Sequence, residues 1–179
     1  MITKEETVLV LIDIQGKLAE IVDESAFVIQ NIVKAVQGAK VLELTILWLE
    51  QYPKGLGTTV EKIAEQLDGV EVIEKITFRA YDTEQFGEKL EATGRKKVLL
   101  AGIEAHICVY QTAAQLLANG YEVEVLVDCV TSRSAGNREA GIQKMLQLGA
   151  KTTTVEMALF ELQQIAKGDA FKAISKIVK

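Results

Sequence analysis

Short apolar runs alternate with longer amphipathic segments along most of the chain. The runs are rich in Val, Ile and Leu and have the length expected of buried strands, about four to eight residues. They predict six strands: Thr7 to Asp13, Thr45 to Leu49, Val70 to Glu74, Lys97 to Ala101, Glu122 to Val127 and Lys151 to Thr154.

The segments between these strands place apolar residues at helical spacing, which predicts crossover helices over Ser25 to Leu42, Gln85 to Ala92 and Ile107 to Leu117. Gly94 and Gly120 lie just after the last two, where glycine commonly ends a helix. Alternating strands and helices are typical of βαβ units. The sequence therefore predicts an α/β fold in three αβα layers, with a doubly wound, six-stranded parallel sheet of Rossmann-like type.

No internal repeat, low-complexity tract or flexible linker interrupts the chain, so we expect a single domain over residues 1–179. The longest stretch without a predicted element is Gln51 to Thr59, which follows the second strand. Open α/β sheets bind ligands beyond the carboxyl ends of their strands. This loop is therefore a candidate wall of a binding site.

The composition is that of a globular protein, with 49% hydrophobic and 25% charged residues. A net charge of -5 disfavours nucleic acid and anionic membrane surfaces as partners, because both recruit clustered Lys and Arg. The first residues do not resemble a signal peptide, and no apolar run reaches the ~20 residues of a membrane span. We expect a cytoplasmic protein whose two cysteines are free thiols.

Three polar residues with catalytic potential follow predicted strands. Asp13 ends the first strand, Lys75 follows the third, and Cys108 lies shortly after the fourth. Functional residues of a doubly wound sheet gather at the carboxyl ends of its strands. An acid, an amine and a thiol are therefore predicted to lie at one edge of the sheet.

Cys108 is the candidate nucleophile, because it lies at the start of a predicted helix. The free N–H groups there favour a thiolate and are able to bind the oxyanion that forms when it attacks a carbonyl. The alternative is a small buried hydrophobic residue. Asp13 is either a general base or a helix N-cap, and Lys75 is either a charge-stabilising group or an ordinary solvated lysine.

The remaining His and Cys are less suited to catalysis. His106 lies two positions before Cys108, and residues so spaced do not face each other on a helix. We interpret it as a residue of the site rim or of an interface, or as a cap, and Cys129 as a structural thiol. One histidine and two cysteines do not supply a zinc site, and no phosphate-binding loop is present. We expect neither a metal nor a cofactor.

Four motifs, in this order, resemble the isochorismatase-like cysteine hydrolases over nearly the whole chain: Leu9 to Gln15, Lys75 to Ala80, Ala101 to Val109 and Val127 to Arg133. The resemblance implies Asp13, Lys75 and Cys108 as a catalytic triad. It also implies a cis peptide bond between Ile103 and Glu104, and an oxyanion hole made by the backbone N–H groups of Glu104 and Cys108.

Two features indicate which branch of the family the chain resembles. Nicotinamidases of this superfamily have metal-binding histidines after the second strand, but Trp48 to Pro53 contains none, which disfavours nicotinamidase activity. The segments Glu50 to Gly57 and Gly102 to Ala105 are similar instead to the isochorismatase domain-containing branch.

The hypothesis is a metal-independent hydrolase that cleaves an amide, ester or related C–N or C–O bond of a small molecule. Isochorismate itself is disfavoured, because cleavage of its vinyl ether need not use a cysteine. The alternative is a non-catalytic binding or scaffold protein with the same fold. We expect a homo-oligomer, with apolar residues available between Phe160 and Ile177. We expect the substrate pocket to contain Gln15, Glu50, Tyr52 and Phe78.

Overall fold

The structure is a computed structural model that describes residues 1–179. Its six strands are β1 (Thr7–Ile12), β2 (Thr45–Gln51), β3 (Val72–Lys75), β4 (Lys97–Ile103), β5 (Glu122–Thr131) and β6 (Lys151–Thr153). They form one sheet in the order β3-β2-β1-β4-β5-β6, in which every neighbouring pair is parallel. All six predicted strands are present, and β2, β3, β4 and β5 extend beyond their predicted carboxyl ends.

Helices connect the strands and cover both faces of the sheet. They are α1 (Gly16–Ile21), α2 (Ser25–Val41), α3 (Pro53–Leu56), α4 (Glu61–Ala64), α5 (Glu84–Ala92), α6 (Tyr110–Ala118), α7 (Ala135–Gln147), α8 (Val155–Gln163) and α9 (Asp169–Ile177). The three predicted helices correspond to α2, α5 and α6. None of the nine has both the length and the apolar character needed to cross a membrane.

The loop predicted over Gln51 to Thr59 needs correction. Gln51 belongs to β2, and Pro53–Leu56 forms the short helix α3. Proline is common in the first turn of a helix, because its missing N–H has no helical partner there. The candidate wall of the site is therefore more ordered than the sequence predicts.

The sheet separates two hydrophobic clusters. Val8, Val10 and Ile12 of β1 contribute to the cluster beneath α5, α6 and α7, whereas Leu9 and Leu11 contribute to the cluster beneath α2, α8 and α9. Every residue of β1 is buried, as expected of a central parallel strand that is covered on both faces. This arrangement is the predicted three-layer αβα fold.

The strand order reverses between β1 and β4, and ligands of doubly wound sheets bind at such a switch point. The two strands approach closely at Gly102, which has a φ of +138°. A Cβ at this position would lie 2.1 Å from the carbonyl oxygen of Ile12, so only glycine fits there. Asp13 follows β1, and Cys108 follows β4, on either side of this switch point.

Candidate active site

Asp13 and Lys75 form a buried ion pair at the carboxyl edge of the sheet. Lys75 is the last residue of β3, and its Nζ donates to Asp13 Oδ2 over 2.6 Å. The two side chains are 0% and 3% exposed. Because β2 lies between β1 and β3, the lysine side chain reaches past one strand to meet the carboxylate. The structure thus brings these two predicted site residues into direct contact.

Lys75 Nζ has as many acceptors as it has N–H bonds, which is three. Besides Asp13 Oδ2, it donates to Gln51 Oε1 over 2.6 Å and to the carbonyl oxygen of Thr77 over 3.2 Å. Lys75 is therefore not a solvated lysine. It is held in place by the chain itself as a fixed positive charge.

Cys108 lies in a turn of π-helix, Ala105–Val109, between β4 and α6. Burial, followed by the charge of Asp13, raises the pKa of its thiol to about 12, although Lys75 acts in the opposite direction. The expectation of a thiolate favoured by a helix N-terminus is therefore wrong for the resting protein. The thiol is buried, and burial disfavours its charged form.

Asp13 is a buried acid with one unused oxygen. Burial raises its pKa above the ordinary 3.8, against the opposing charge and hydrogen bond of Lys75. Oδ2 accepts from Lys75, whereas the buried Oδ1 has no hydrogen-bond partner. The alternative interpretation as a helix N-cap is wrong, because α1 begins after Gln15 and no side chain caps it. Oδ1 is therefore available to receive a proton.

The segment that leads to Cys108 contains a cis peptide bond between Ile103 and Glu104, as the family resemblance implies. The N–H of Glu104 donates to no backbone oxygen. Its carboxylate oxygen Oε1 accepts from Arg133 N over 3.1 Å and from Arg133 Nε over 2.9 Å. His106 Nδ1 lies 2.9 Å from Ser132 Oγ. Ser132 and Arg133, which follow β5, therefore hold the segment that leads to Cys108 through their contacts with His106 and Glu104.

Helix α7 packs directly on the same segment at Gly141. A Cβ at Gly141 would lie 2.7 Å from the carbonyl carbon and oxygen of Ala105, and 2.8 Å from His106 N. Backbone atoms at these distances leave no room for a side chain. The absence of one is what allows α7 to support the turn that contains Cys108.

Gln15 and Glu50, both predicted to line the pocket, instead support a loop. Gln15 is fully buried, and its amide bonds to both backbone groups of Gln51, with Gln51 N donating over 2.6 Å and Gln51 O accepting over 3.1 Å. Gln15 Nε2 also donates to Gly57 O over 2.6 Å. Glu50 Oε1 accepts from Thr59 N over 2.6 Å. Neither residue is among those that line the open cleft beside Lys75, and both side chains bond to backbone groups instead.

An open cleft of about 530 Å³ lies beside Lys75. Of the residues predicted for the substrate pocket, Tyr52 lines this cleft, whereas Phe78 is 55% exposed and is not part of the lining. The residues that line the cleft are Tyr52, Pro53, Lys54, Glu74, Lys75, Ile76, Thr77, Asp82 and Thr83. Tyr52, Pro53 and Lys54, which follow β2, therefore form one side of this cleft.

Comparison with known families identifies the family of this chain, because the isochorismatase domain matches residues 7–157. The chain belongs to the isochorismatase family. It is 36% identical to the secreted isochorismatase effector Isc1 of Phytophthora sojae, over 97% of this chain and 84% of the relative. It is 35% identical to isochorismatase domain-containing protein 2 of Danio rerio, over 96% of this chain and 86% of the relative.

Solved structures show the same fold. The MAR1 ribonuclease of Caenorhabditis elegans has a TM-score of 0.92 and 33% identity, covering 99% of this chain and 91% of its own. The YcaC gene product of Escherichia coli, described as an octameric hydrolase of unknown specificity, has a TM-score of 0.92 over 98% of this chain and 88% of its own. At 23% identity the second likeness concerns the fold alone. The predicted sheet architecture is confirmed as that of the isochorismatase family.

Within this isochorismatase-family site, sequence reasoning missed Gln51. Its side-chain oxygen contacts Lys75 Nζ and lies 4.0 Å from Cys108 Sγ. The rule that selected Asp13 and Lys75, a polar residue at the carboxyl end of a strand, applies to Gln51 as well. It was missed because the predicted second strand ends at Leu49, two residues before β2 does.

The second cysteine and the acidic residues do not form a further centre. Cys129 lies in the hydrophobic cluster on the α2 side, and burial raises the pKa of its thiol well above the ordinary value. No group of three or more His, Cys, Asp or Glu side chains is arranged to hold a metal ion.

Proposed function

We propose that this isochorismatase-family protein is a cysteine hydrolase that cleaves an amide, ester or related C–N or C–O bond of a small molecule without a metal. The observation that supports the proposal most is the Cys108 thiol beside a buried Asp13–Lys75 pair, both of whose charges act on it. Asp13 Oδ1, which Lys75 does not occupy, is the atom that accepts the thiol proton.

In the first half of the reaction, Cys108 Sγ adds to the substrate carbonyl carbon while its proton passes to Asp13 Oδ1. Because the pKa of the resting thiol is about 12, the proton leaves as the C–S bond forms and not before. The N–H groups of Glu104 and Cys108 bind the resulting oxyanion. The C–N or C–O bond then breaks, the leaving group takes the proton from Asp13, and a thioester remains on Cys108.

In the second half, Asp13 takes a proton from water while the water oxygen attacks the thioester carbonyl. The C–S bond breaks, the carboxylic acid product leaves, and Sγ regains a proton from Asp13. Lys75 does not donate a proton in either half. It keeps Asp13 in place and offsets the negative charge that develops in the site.

A panel of small amides, esters and thioesters tests the proposal, with the wild-type protein and Cys108→Ala measured side by side. We expect turnover above background on at least one compound, and a loss of at least about a thousandfold in kcat/KM for Cys108→Ala. The matched control is Cys129→Ala, which changes the other thiol and should keep kcat/KM within about threefold of wild type. Full activity of Cys108→Ala would overturn the mechanism.

Two relatives suggest additional compounds for this panel. The Phytophthora sojae relative is named an isochorismatase, and the Caenorhabditis elegans structure is named a ribonuclease. Isochorismate tests the first activity, and labelled single-stranded RNA tests the second. The net charge of -5 argues against RNA, because a phosphate backbone requires clustered positive charge.

A binding or scaffold protein that keeps the fold without turnover is the second candidate. The protonated and buried Cys108 favours it, because a thiol in this state is a weak nucleophile. This candidate predicts binding of a small molecule in the cleft beside Lys75 without a product. Binding and turnover measured on the same compounds separate the two candidates.

We further propose that the protein self-associates, since the Escherichia coli YcaC structure is octameric. We also propose that it is cytoplasmic, because its two cysteines are free thiols. The segment from Phe160 to Ile177 offers less surface than its sequence indicates, because Leu162 and Ile174 are buried in the core. Ile165, at 64% exposure, stays available for contact with a second copy. Light scattering coupled to size-exclusion chromatography measures the stoichiometry.

A further inference from the structure

Gln51 lies between the two strands that end in the buried ion pair, and its amide has a single orientation. Gln51 Nε2 donates to the carbonyl oxygen of Ile76 over 2.7 Å, and Gln51 Oε1 accepts from Lys75 Nζ over 2.6 Å. The contact with Ile76 requires the NH2 group as donor, and the contact with Lys75 requires the oxygen as acceptor. A 180° flip of the amide would therefore lose both hydrogen bonds. Oε1 is therefore held on the side of Cys108, 4.0 Å from Sγ.

A carbonyl oxygen in this position favours the protonated thiol. An S–H group donates weakly to such an oxygen, whereas a thiolate is repelled by it. Gln51 also occupies one N–H bond of Lys75, so that the ammonium group is directed to acceptors other than the sulfur. The amide therefore has a direct contact with the thiol and a second contact with the lysine that acts on it.

The charged and titratable groups near the thiol each have a contact of their own. Asp13 raises the pKa of Cys108 by its charge, and Lys75 lowers it. Glu50 acts on Asp13, Glu104 is paired with Arg133, and His106 contacts Ser132. Gln51 is the uncharged polar side chain that contacts both the cation and the thiol.

We propose that Gln51 is a positioning residue that keeps Cys108 protonated in the resting protein and directs Lys75 to Asp13, so that the thiol ionises only as it attacks a substrate. The inference rests on the proposed hydrolase function, because it describes how the same nucleophile is kept inactive between turnovers. A protonated thiol resists alkylation and oxidation, since the thiolate is the form that reacts.

Gln51→Met tests the proposal, because methionine has a similar length but no carbonyl oxygen. The measurement is the rate of Cys108 alkylation by iodoacetamide from pH 6 to pH 11, followed by mass spectrometry of the intact protein. We expect the profile of Gln51→Met to move to lower pH, with labelling about tenfold faster at pH 8 for each unit by which the pKa of the thiol falls. Cys108→Ala gives the labelling of Cys129 as the background.

Gln51→Glu is the matched variant, because it keeps the shape of the side chain and adds a negative charge beside the thiol. We expect its labelling profile to move to higher pH and its rate at pH 8 to fall below that of wild type. A site that is merely loosened would be labelled faster in both variants and at every pH, and that result overturns the proposal. An unchanged profile for Gln51→Met overturns it as well. If circular dichroism shows that Gln51→Met is unfolded, the direction in which the labelling profile of Gln51→Glu moves along pH tests the proposal instead.

Labelling requires no substrate, so this test and the test of the hydrolase function fail separately. Turnover by Cys108→Ala would refute the mechanism whatever the labelling profiles show. A requirement for Cys108 in turnover, together with an unchanged profile for Gln51→Met, would refute only the role of Gln51.

Discussion

Lys75 Nζ and Asp13 Oδ2 lie 2.6 Å apart, and neither side chain is more than 3% exposed. Lys89 Nζ and Glu71 Oε2 are also 2.6 Å apart, but these side chains are 32% and 68% exposed. The two pairs therefore share a distance and differ in solvation. Removal of one partner from the buried pair leaves a charge without water, whereas removal of one from the exposed pair does not.

Lys75→Met should lower the free energy of unfolding at pH 8 by about 3–5 kcal/mol, because Asp13 is left buried without its counter-charge. Lys89→Met, the matched control, should lower it by less than about 1 kcal/mol. Urea denaturation followed by circular dichroism measures both values. Asp13→Asn combined with Lys75→Met should recover part of the loss, since no buried charge is then left alone. Equal effects of Lys75→Met and Lys89→Met would show that burial of the pair has no energetic consequence.

The pH dependence of turnover should follow the ionisation of Asp13. Burial raises the pKa of Asp13 above 3.8, and only the deprotonated carboxylate accepts the thiol proton. Hence kcat/KM should fall as the pH decreases through this raised pKa, with a midpoint above the ordinary range of an aspartate. Asp13→Asn should be inactive at every pH.

Asp128 is the matched control for this acid limb, because burial raises its pKa as well. Its carboxylate oxygens accept from Val155 N, each over 3.1 Å. Asp128→Asn keeps an acceptor there and should leave the acid limb of the profile unchanged. A limb that moves in Asp128→Asn would assign the pH dependence to protein stability and not to Asp13.

The strands could be predicted from the sequence because most of them are short apolar runs, and β1 is one whose residues are all buried. Helices α7 to α9 could not be predicted with the same ease. Helix α7 buries only Gly141, Ile142 and Met145, so its apolar spacing is too sparse to indicate a helix. The strand ends were also uncertain, and for that reason Gln51 was missed.

Asp13, Lys75 and Cys108 could be selected because they follow strands whose carboxyl ends meet at one edge of the sheet. Their ionisation could not be predicted in the same way. The helix N-terminus alone favours a thiolate at Cys108, but the pKa of the thiol is raised, and burial is the largest cause of that shift. The burial of Cys108 arises from residues far from it in the chain, such as Gln51. Short sequence patterns do not show which distant residues will cover a side chain.

Arg133→Ala should lower kcat and kcat/KM equally, by about tenfold, because Arg133 holds Glu104 and the Glu104 N–H is proposed to bind the oxyanion only in the transition state. The Arg133 side chain is 56% exposed, and its backbone N also donates to Glu104 Oε1. The free energy of unfolding should therefore change by less than about 1 kcal/mol. Lys97→Ala, which removes an ion pair with Glu6 at the opposite edge of the sheet, is the control and should leave kcat unchanged. A rise in KM with kcat intact would place Arg133 in substrate binding instead.

Two glycines of α7 separate the support of the nucleophile turn from general helix stability. A Cβ at Gly141 would contact the backbone of Ala105 and His106 at 2.7 to 2.8 Å, whereas a Cβ at Gly136 would have nothing within 4 Å. Gly141→Ala should therefore push α7 away from the turn, lowering the free energy of unfolding by about 1–3 kcal/mol. It should also lower kcat by at least about tenfold, because a small displacement of the nucleophile segment disturbs the reacting geometry. Gly136→Ala should raise the free energy of unfolding by up to about 1 kcal/mol and leave kcat unchanged, since alanine has the higher helix propensity. Urea denaturation measures the free energy of unfolding of both variants, and steady-state kinetics measure kcat. If Gly141→Ala behaved like Gly136→Ala in both measurements, contact with α7 would not position Cys108.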